Sequence, residues 1–373
     1  MVTPSRQKVS GAYFTPECVV ESLVRWAARR ASERMLDPSC GDGRFLAAHP
    51  NSVGVEQDPE SAAIVHARVP GSLIHEGDFF AWASKTHERF ECAAGNPPFI
   101  RYQRFNGSVR ECARALCERQ GVRISALASS WAPFLIGTAS LLKPGGRMAF
   151  VVPAEIGHAP YAAPVLEYLV ENFGLVQVVP VRHKIFPDLS EDCWLLFADG
   201  FGGSTDAIRF TPMDQFGYMP APPSLGIDVP VSEWKSWNCR LRPFFLSDEV
   251  RDFYTETVSS ADTVRLGEVA RVGIGYVTGA NDFFHLRPSE AERLRIPSKQ
   301  LHPAVRNGRS LSSGCVTAET VDRPPTIPCC YFGFGLSSPC QSPSVDTSTA
   351  LRVRLPVILS SVEAEIPGGA FQM

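Results

Sequence analysis

Nothing in the 373 residues forms an apolar run of membrane-spanning length. Met1 to Ser10 is polar, carries Arg6 and Lys8, and has no hydrophobic segment behind it, so no signal peptide is expected. The eleven cysteines contain no Cys-x-x-Cys pair, and Cys112 and Cys117 have no histidine nearby. They read as free thiols in a reducing cytosol, which makes the cytoplasm the expected location and excludes a structural metal of the usual spacing. A serine-hydrolase elbow, a phosphate loop, a paired-histidine motif and internal repeats are all missing. Strong charge of one sign is missing too. The formal net charge is −3, so any contact with nucleic acid must come from local patches. What remains is an ordinary soluble composition, 44% hydrophobic and 20% charged, in a chain long enough for two domains.

One stretch organises the rest: Ala93-Ala94-Gly95-Asn96-Pro97-Pro98-Phe99. The apolar run from Phe90 to Ala94 reads as a buried strand that breaks at Gly95. Two successive prolines fix two φ angles and remove two N–H donors, leaving a stiff loop. Asn96 then offers an acceptor oxygen at a set place, Pro97 a bare carbonyl, and Phe99 a stacking face. Together they suit a planar ring carrying an exocyclic amine. A plain strand-end turn with a capping asparagine accounts for the four residues alone equally well.

Upstream, Thr15-Pro16 opens an amphipathic helix whose apolar face is Val19, Val20, Leu23, Val24 and Ala27. Thr15 reads as the N-cap and Pro16 as the first helical residue. Either this is an ordinary capped helix or Thr15 and the helix-start amides hold a small carboxylate. Met35 to Leu46 reads as strand, Gly-x-Gly turn (Gly41, Gly43) and helix, with Leu46 where a dinucleotide fingerprint needs its third glycine. No pyrophosphate is therefore expected. Strands at Ser52 to Val55 and Ser72 to His75 end near Glu56 and Asp78. Each acid alone reads as a solvated loop residue. Asp37, Glu56 and Asp78 at three successive strand ends read as a site, because parallel sheets bind ligands at their carboxyl edges. Glu56 suits a ribose, Asp78 an exocyclic adenine amine, and Phe79 the flank of a ring.

Arg101 to Arg123 holds six arginines and two glutamates, either a solvated helix face or a contact with phosphates. Trp131 to Leu142 reads as a helix. Strands follow at Arg147 to Val152, Gly174 to Val181 and Cys193 to Ala198. Phe186 is either a core residue or a second stacking face opposite Phe99. Gly200 to Arg242 reads as a linker with a small hairpin, and a β-rich unit begins near Leu266.

In this order, Thr15-Pro16, Asp37-Pro38-x-Cys40-Gly41-x-Gly43, Glu56, Asp78-Phe79 and Asn96-Pro97-Pro98-Phe99 resemble the gamma-class N6-adenine DNA methyltransferases. The resemblance covers roughly residues 11 to 310 and includes Gly275 to Asn281, which opens the target-recognition domain in that family. It implies an α/β fold: a Rossmann-like, seven-stranded, mostly parallel sheet with its last strand antiparallel, flanked by helices, plus a partial β-rich C-terminal domain. It implies S-adenosylmethionine as cofactor and double-stranded DNA as partner, with a restriction endonuclease as a further partner and no membrane. Thr15 would contact the methionine carboxylate, and Asp37, Gly41 and Gly43 would run beside the methionine part. Glu56 would take the ribose, and Asp78 with Phe79 the cofactor adenine. Asn96, Pro97, Pro98 and Phe99 form the implied catalytic set, and Phe186 stacks on the flipped base. The Asn-Pro-Pro-aromatic motif also occurs in protein-glutamine and RNA N-methyltransferases, which are the rival reading, together with a truncated non-catalytic relative.

These boundaries divide the chain into a catalytic domain at 1–245, the start of a recognition domain at 246–314, and an irregular stretch at 315–373. The last stretch carries four of the eleven cysteines and no lysine follows Lys299. It reads as a flexible tail or as the product of a frameshift near residues 310 to 316. One permitted codon choice for Ser360 to Met373, read in a neighbouring frame, gives a basic, tryptophan-bearing stretch resembling the family's recognition domains.

Overall fold

The computed structural model describes residues 15–101, 103–186, 191–269, 285–286 and 288–297, with short strands at 301–303, 330–332, 351–353 and 364–366. Gly275 to Asn281, Pro187 and most of 315–373 lie outside the described residues. The chain divides into two compact units, Met1–Arg251 and Asp252–Met373.

The first unit alternates helix and strand: α1 (Glu17–Ala27), β1 (Met35–Asp37), α2 (Arg44–Ala47), β2 (Ser52–Glu56), α3 (Pro59–Arg68), β3 (Leu73–Glu76), α4 (Phe79–Ala83) and β4 (Phe90–Gly95). Then come α5 (Gly107–Arg119), α6 (Trp131–Ala139), β5 (Leu142–Pro153), α7 (Ala163–Asn172), β6 (Phe173–Pro180), β7 (Cys193–Phe201), β8 (Ala207–Phe210) and β9 (Ile227–Pro230). One sheet takes all nine strands, in the order β3-β2-β1-β4-β5-β7-β6-β8-β9. β1 to β5 pair parallel to their neighbours, and β7 runs antiparallel between β5 and β6. The expected seven strands are present with the antiparallel one in place. The stretch expected to be a linker adds two more: β8 joins β6 in parallel and β9 pairs antiparallel with β8.

Period-two patterning explains why both faces are covered. Met148, Phe150 and Val152 of β5 enter one apolar cluster, while Ala149 and Val151 enter the other. β7 splits the same way, with Trp194, Leu196 and Ala198 against Cys193, Leu195 and Phe197. Residues of α4, α5, α6 and α7 cover the first face, and α1 covers the second with Val19, Val20, Leu23, Val24 and Trp26. Strands buried on both sides read as near-continuous apolar runs, as in other α/β sheets.

Two element limits differ from the sequence reading. The helix expected to reach Leu142 ends at Ala139, and Leu142 already pairs with Phe90 in the sheet. Register then shifts before Cys92 meets Arg147, and the exposed Lys143-Pro144-Gly145 segment takes up the irregularity. The second unit contains a helix at Leu266–Val269, another at Pro288–Arg293, and short antiparallel pairings of His285–Leu286 and Leu301–Pro303 with Cys330–Phe332. Among the described residues, no helix is long and apolar enough to cross a membrane.

Phe150 is wholly buried at the centre of the sheet, and its ring borders Gly95. Phe150→Ala is expected to destabilise the first unit by ~3–5 kcal/mol, read from its denaturant transition.

Candidate active site

Four parallel strands end on one edge, and their last residues are Asp37, Glu56, Glu76 and Gly95. Asp37 is 1% exposed, and its carboxylate lies against Gly95. A Cβ at Gly95 would come 2.8 Å from Asp37 Oδ1 and 3.1 Å from the Phe150 ring, so only glycine allows this approach. Asp37 Oδ1 accepts from the Ser39 amide at 3.2 Å; Oδ2 is buried and has no hydrogen-bond partner among the described residues. Burial pushes this carboxyl up to about 8, against the Ser39 bond, with Glu56 and Asp42 pushing the same way.

The turn after β1 carries two left-handed glycines, Gly41 at φ +53° and Gly43 at φ +82°. A Cβ at Gly43 would meet Val65 at 2.4 Å. The Gly41 amide donates to Glu56 Oε2 at 2.7 Å, and the Asp58 amide to Glu56 Oε1 at 2.7 Å. Burial raises the Glu56 carboxyl, and these amides oppose it. Each oxygen of a carboxylate has two acceptor sites, so capacity for further donors remains.

The Glu56 carbonyl accepts from Gly77 at 2.8 Å, which sets Asp78 beside it. Asp78 is the N-cap of α4 and accepts from the Ala81 amide at 2.8 Å. Its carboxyl is also raised, first by burial. Phe79 sits otherwise than as an open flank for a ring. It is 2% exposed and stacks on Phe134, centroids 5.0 Å apart and planes 13° apart. The first turn of α4 points it into the apolar cluster.

Asn96 follows β4 directly. Its Nδ2 donates to Thr15 Oγ at 3.2 Å, while its Oδ1 is buried without a partner among the described residues. Thr15 does not cap α1. The N-cap is Pro16, with no side-chain bond, and the 4%-exposed Thr15 turns its hydroxyl to Asn96 instead. The Pro97-Pro98-Phe99-Ile100 segment is held by a residue that sequence reasoning missed. Ser130 Oγ donates to the Pro98 carbonyl and accepts from the Ile100 amide at 2.9 Å, and the Ser130 amide donates to the Ile100 carbonyl at 3.0 Å. A buried serine before a tryptophan gives no motif; only the fold brings it to the loop. Phe99 is half-buried and packs against both apolar clusters, one of which contains the buried Phe186.

Several arginines downstream are engaged locally. Arg101 pairs with Glu191 at 2.9 Å, Arg114 with Glu118 at 3.7 Å, and Arg119 donates to the Ser84 carbonyl at 3.3 Å. A groove of about 810 Å³ lies elsewhere, along α1, lined by Arg25, Arg29, Arg44 and Arg68 but not by Asn96, Glu56 or Asp78. The thiol of Cys92 is pushed up to about 12 by burial and that of Cys40 higher still, so neither is a nucleophile near neutrality. No cluster of metal ligands occurs among the described residues.

Two expectations follow. The raised Asp37 carboxyl keeps its proton in the folded chain at pH values where the unfolded chain has lost it. Stability therefore falls as pH rises from near the ordinary aspartate value of 3.8 toward about 8. Asp37→Asn should flatten that slope and raise the ligand-free Tm at pH 8, at ~2–4 °C per kcal/mol, in a thermal scan at several pH values. Ser130→Ala should leave the half-buried Pro98 carbonyl and Ile100 amide without these partners, destabilising by about 1 kcal/mol in denaturant unfolding.

Residues 1–199 match the N-6 DNA Methylase family, and residues 240–324 match the C-terminal domain of Type II methyltransferase M.Eco57I. Type II methyltransferase M.XamI of Xanthomonas campestris pv. amaranthicola is 24% identical over 338 residues, covering 84% of this chain and 61% of that protein. Type II methyltransferase M.TthHB8I of Thermus thermophilus is 31% identical over 162 residues, covering 39% and 35%. The type IIG restriction endonuclease BpuSI aligns with a TM-score of 0.48 at 15% identity, over 89% of this chain and 43% of that one. The chain spans at most about three fifths of the length of these curated relatives. With more than half of its residues matched by one family model, the chain belongs to the N-6 DNA methylase family.

Proposed function

We propose that this chain transfers a methyl group from S-adenosylmethionine to the N6 amine of a flipped-out adenine in double-stranded DNA. The observation that carries the reading is the buried, unpartnered Asn96 Oδ1 beside the acidic strand ends. An acceptor kept from water and from protein donors keeps its lone pairs for an incoming N–H. The family match is to a DNA methylase over residues 1–199, so the protein-glutamine, RNA and non-catalytic readings are not favoured.

The residues fit such a cofactor. Asp37 offers a buried carboxyl oxygen without a partner, which suits a cationic group, and Glu56 retains acceptor capacity for ribose hydroxyls. Gly41 and Gly43 supply a turn without side chains. Asp78 would accept from the adenine amine and Thr15 would contact the methionine carboxylate; Phe79 is left out of the set, since its ring is buried on Phe134. When bound, the cofactor supplies an electrophilic methyl on a sulfonium.

The protein's part is to prepare the amine. An adenine amine is a weak nucleophile because its lone pair is delocalised into the ring. Asn96 Oδ1 and the Pro97 carbonyl, both accepting from that amine, favour its pyramidal form and free the lone pair. Pro98 stiffens the loop, and Phe99 and Phe186 are the proposed stacking faces. Positioning of this kind can supply ~7–11 kcal/mol of the barrier. No strong base is required, since the amine loses its proton after methylation. Extrusion of the base costs a few kcal/mol, which stacking offsets in part.

DNA contact would come from Arg101 to Arg123 and from the second unit, which we assign to target recognition on the match of residues 240–324 to the M.Eco57I C-terminal domain. The names of the type II relatives support a cognate restriction endonuclease as partner. The nucleotide sequence around codons 310 to 316 decides whether the 315–373 stretch is frameshifted.

The test is transfer of labelled methyl groups to unmodified genomic DNA, with RNA and protein as parallel acceptors. Asn96→Ala should lower the rate on the order of 10²–10³-fold with little change in Tm. A rate untouched by that substitution, or label in RNA or protein alone, contradicts the reading.

A further inference from the structure

Two arginines beside the carboxyl edge of the sheet carry charge that no protein anion answers. Arg240 and Arg242 are exposed, and neither has a hydrogen bond or an ion pair among the described residues. Elsewhere in the first unit arginines pair locally, as Arg34 does with Glu88, Arg101 with Glu191 and Arg209 with Asp228. We infer that Arg240 and Arg242 form a binding site for the phosphate backbone of DNA, beside the loop that receives the target base. This rests on the DNA-methylation reading above.

The sheet determines where the pair lies. β5 runs parallel to β4, and its Phe150 pairs with Gly95, the residue before Asn96. Three residues on, about 10 Å along a strand, β5 ends at Pro153 and turns through Ala154–Gly157. The Leu241 amide donates to the Gly157 carbonyl at 2.8 Å, which holds both flanking arginines at that turn. Leu241 is wholly buried and Phe244 nearly so, so the backbone between the exposed guanidinium groups is anchored. Gly157 packs against Trp194 so closely that a Cβ would come 2.2 Å from the indole. Asn238 (φ +53°) and Cys239 (φ +57°) lead into the segment in left-handed backbone, which such residues keep only where the surroundings hold it. Leu241 and Phe244 join the same apolar cluster as Ala113 and Leu116 of α5, so both basic segments pack on one face of the sheet.

The charge is felt locally. The His158 imidazole is pushed down, first by burial and next by Arg242; Arg240 adds to this, while the Ala154 hydrogen bond and Glu155 oppose it. Glu155 pairs with neither arginine and accepts from the Tyr161 hydroxyl. A base extruded into the site stays joined to a phosphate on either side, so anion contacts must lie near the loop that receives it. A guanidinium presents a planar fork of donors that suits a phosphate, and an anchored backbone loses little freedom on binding. Contacts of this kind position a duplex without reading its sequence.

The test is equilibrium binding of the full chain to a fluorescent, unmodified duplex of about 30 base pairs over a range of salt, since phosphate contacts do not need the recognised sequence. Arg240→Ala with Arg242→Ala should weaken binding about tenfold or more at ~0.1 M salt and lower the slope of log Kd against log salt by roughly 2, about 1 for each charge. Arg240→Lys with Arg242→Lys should keep the slope, because it keeps both charges. Arg25→Ala, which removes an exposed arginine of α1, should change neither value. Unchanged cofactor affinity of the double alanine variant by calorimetry shows that it is folded. An unaltered slope in that variant, or an equal loss in Arg25→Ala, overturns the inference. The two readings fail separately. A chain that binds DNA through these arginines yet transfers no methyl group refutes the proposed activity alone. Methyl transfer by a chain whose double alanine variant binds DNA as well as the unaltered one refutes the phosphate site alone.

Discussion

The structure depends on one constraint, a side-chain oxygen kept buried and unpaired where the chain is least able to move. Asn96 follows a strand buried everywhere but at Glu91, and two prolines follow it. Thr15 engages its nitrogen, and Ser130 ties down the backbone just beyond. A buried acceptor without a donor is unfavourable in a protein interior. The Thr15 contact and the two prolines restrict where that amide can lie. β4 lies between β1 and β5, so the loop leaves an interior strand of the sheet.

The same edge concentrates a second unfavourable feature. Asp37, Glu56 and Asp78 are all raised, each first by burial. Groups so displaced are more common at functional sites than elsewhere. Their physical origin is the topology, since parallel strands deliver their carboxyl ends to one place and neighbouring helices shield it from water. A cationic ligand would relieve that condition, so stability without ligand and affinity for it pull in opposite directions at Asp37.

Much of this was legible in the sequence. The strand ends at Asp37, Glu56 and Asp78 and the proline-stiffened loop at Asn96 announce themselves through local patterns: apolar runs, glycine turns and fixed φ angles. The places where the structure differs involve long-range geometry. Thr15 looks like a helix cap from its neighbours, yet its hydroxyl is claimed by a residue 81 positions away. Phe79 looks available because it follows a loop acid, but the direction of the first turn of α4 buries it on Phe134. Ser130 carries no pattern at all. β8 and β9 look like linker and hairpin because they are short and the chain between them is rich in proline and glycine; the open edge of β6 recruits them.

The most direct measurement is a crystal structure of the chain with a duplex bearing its target adenine and a cofactor analogue that cannot donate a methyl group. The account predicts the adenine N6 within about 3 Å of both Asn96 Oδ1 and the Pro97 carbonyl, with the base against Phe99. An extruded base held elsewhere, or an Asn96 oxygen satisfied by a donor of the protein itself, would contradict it.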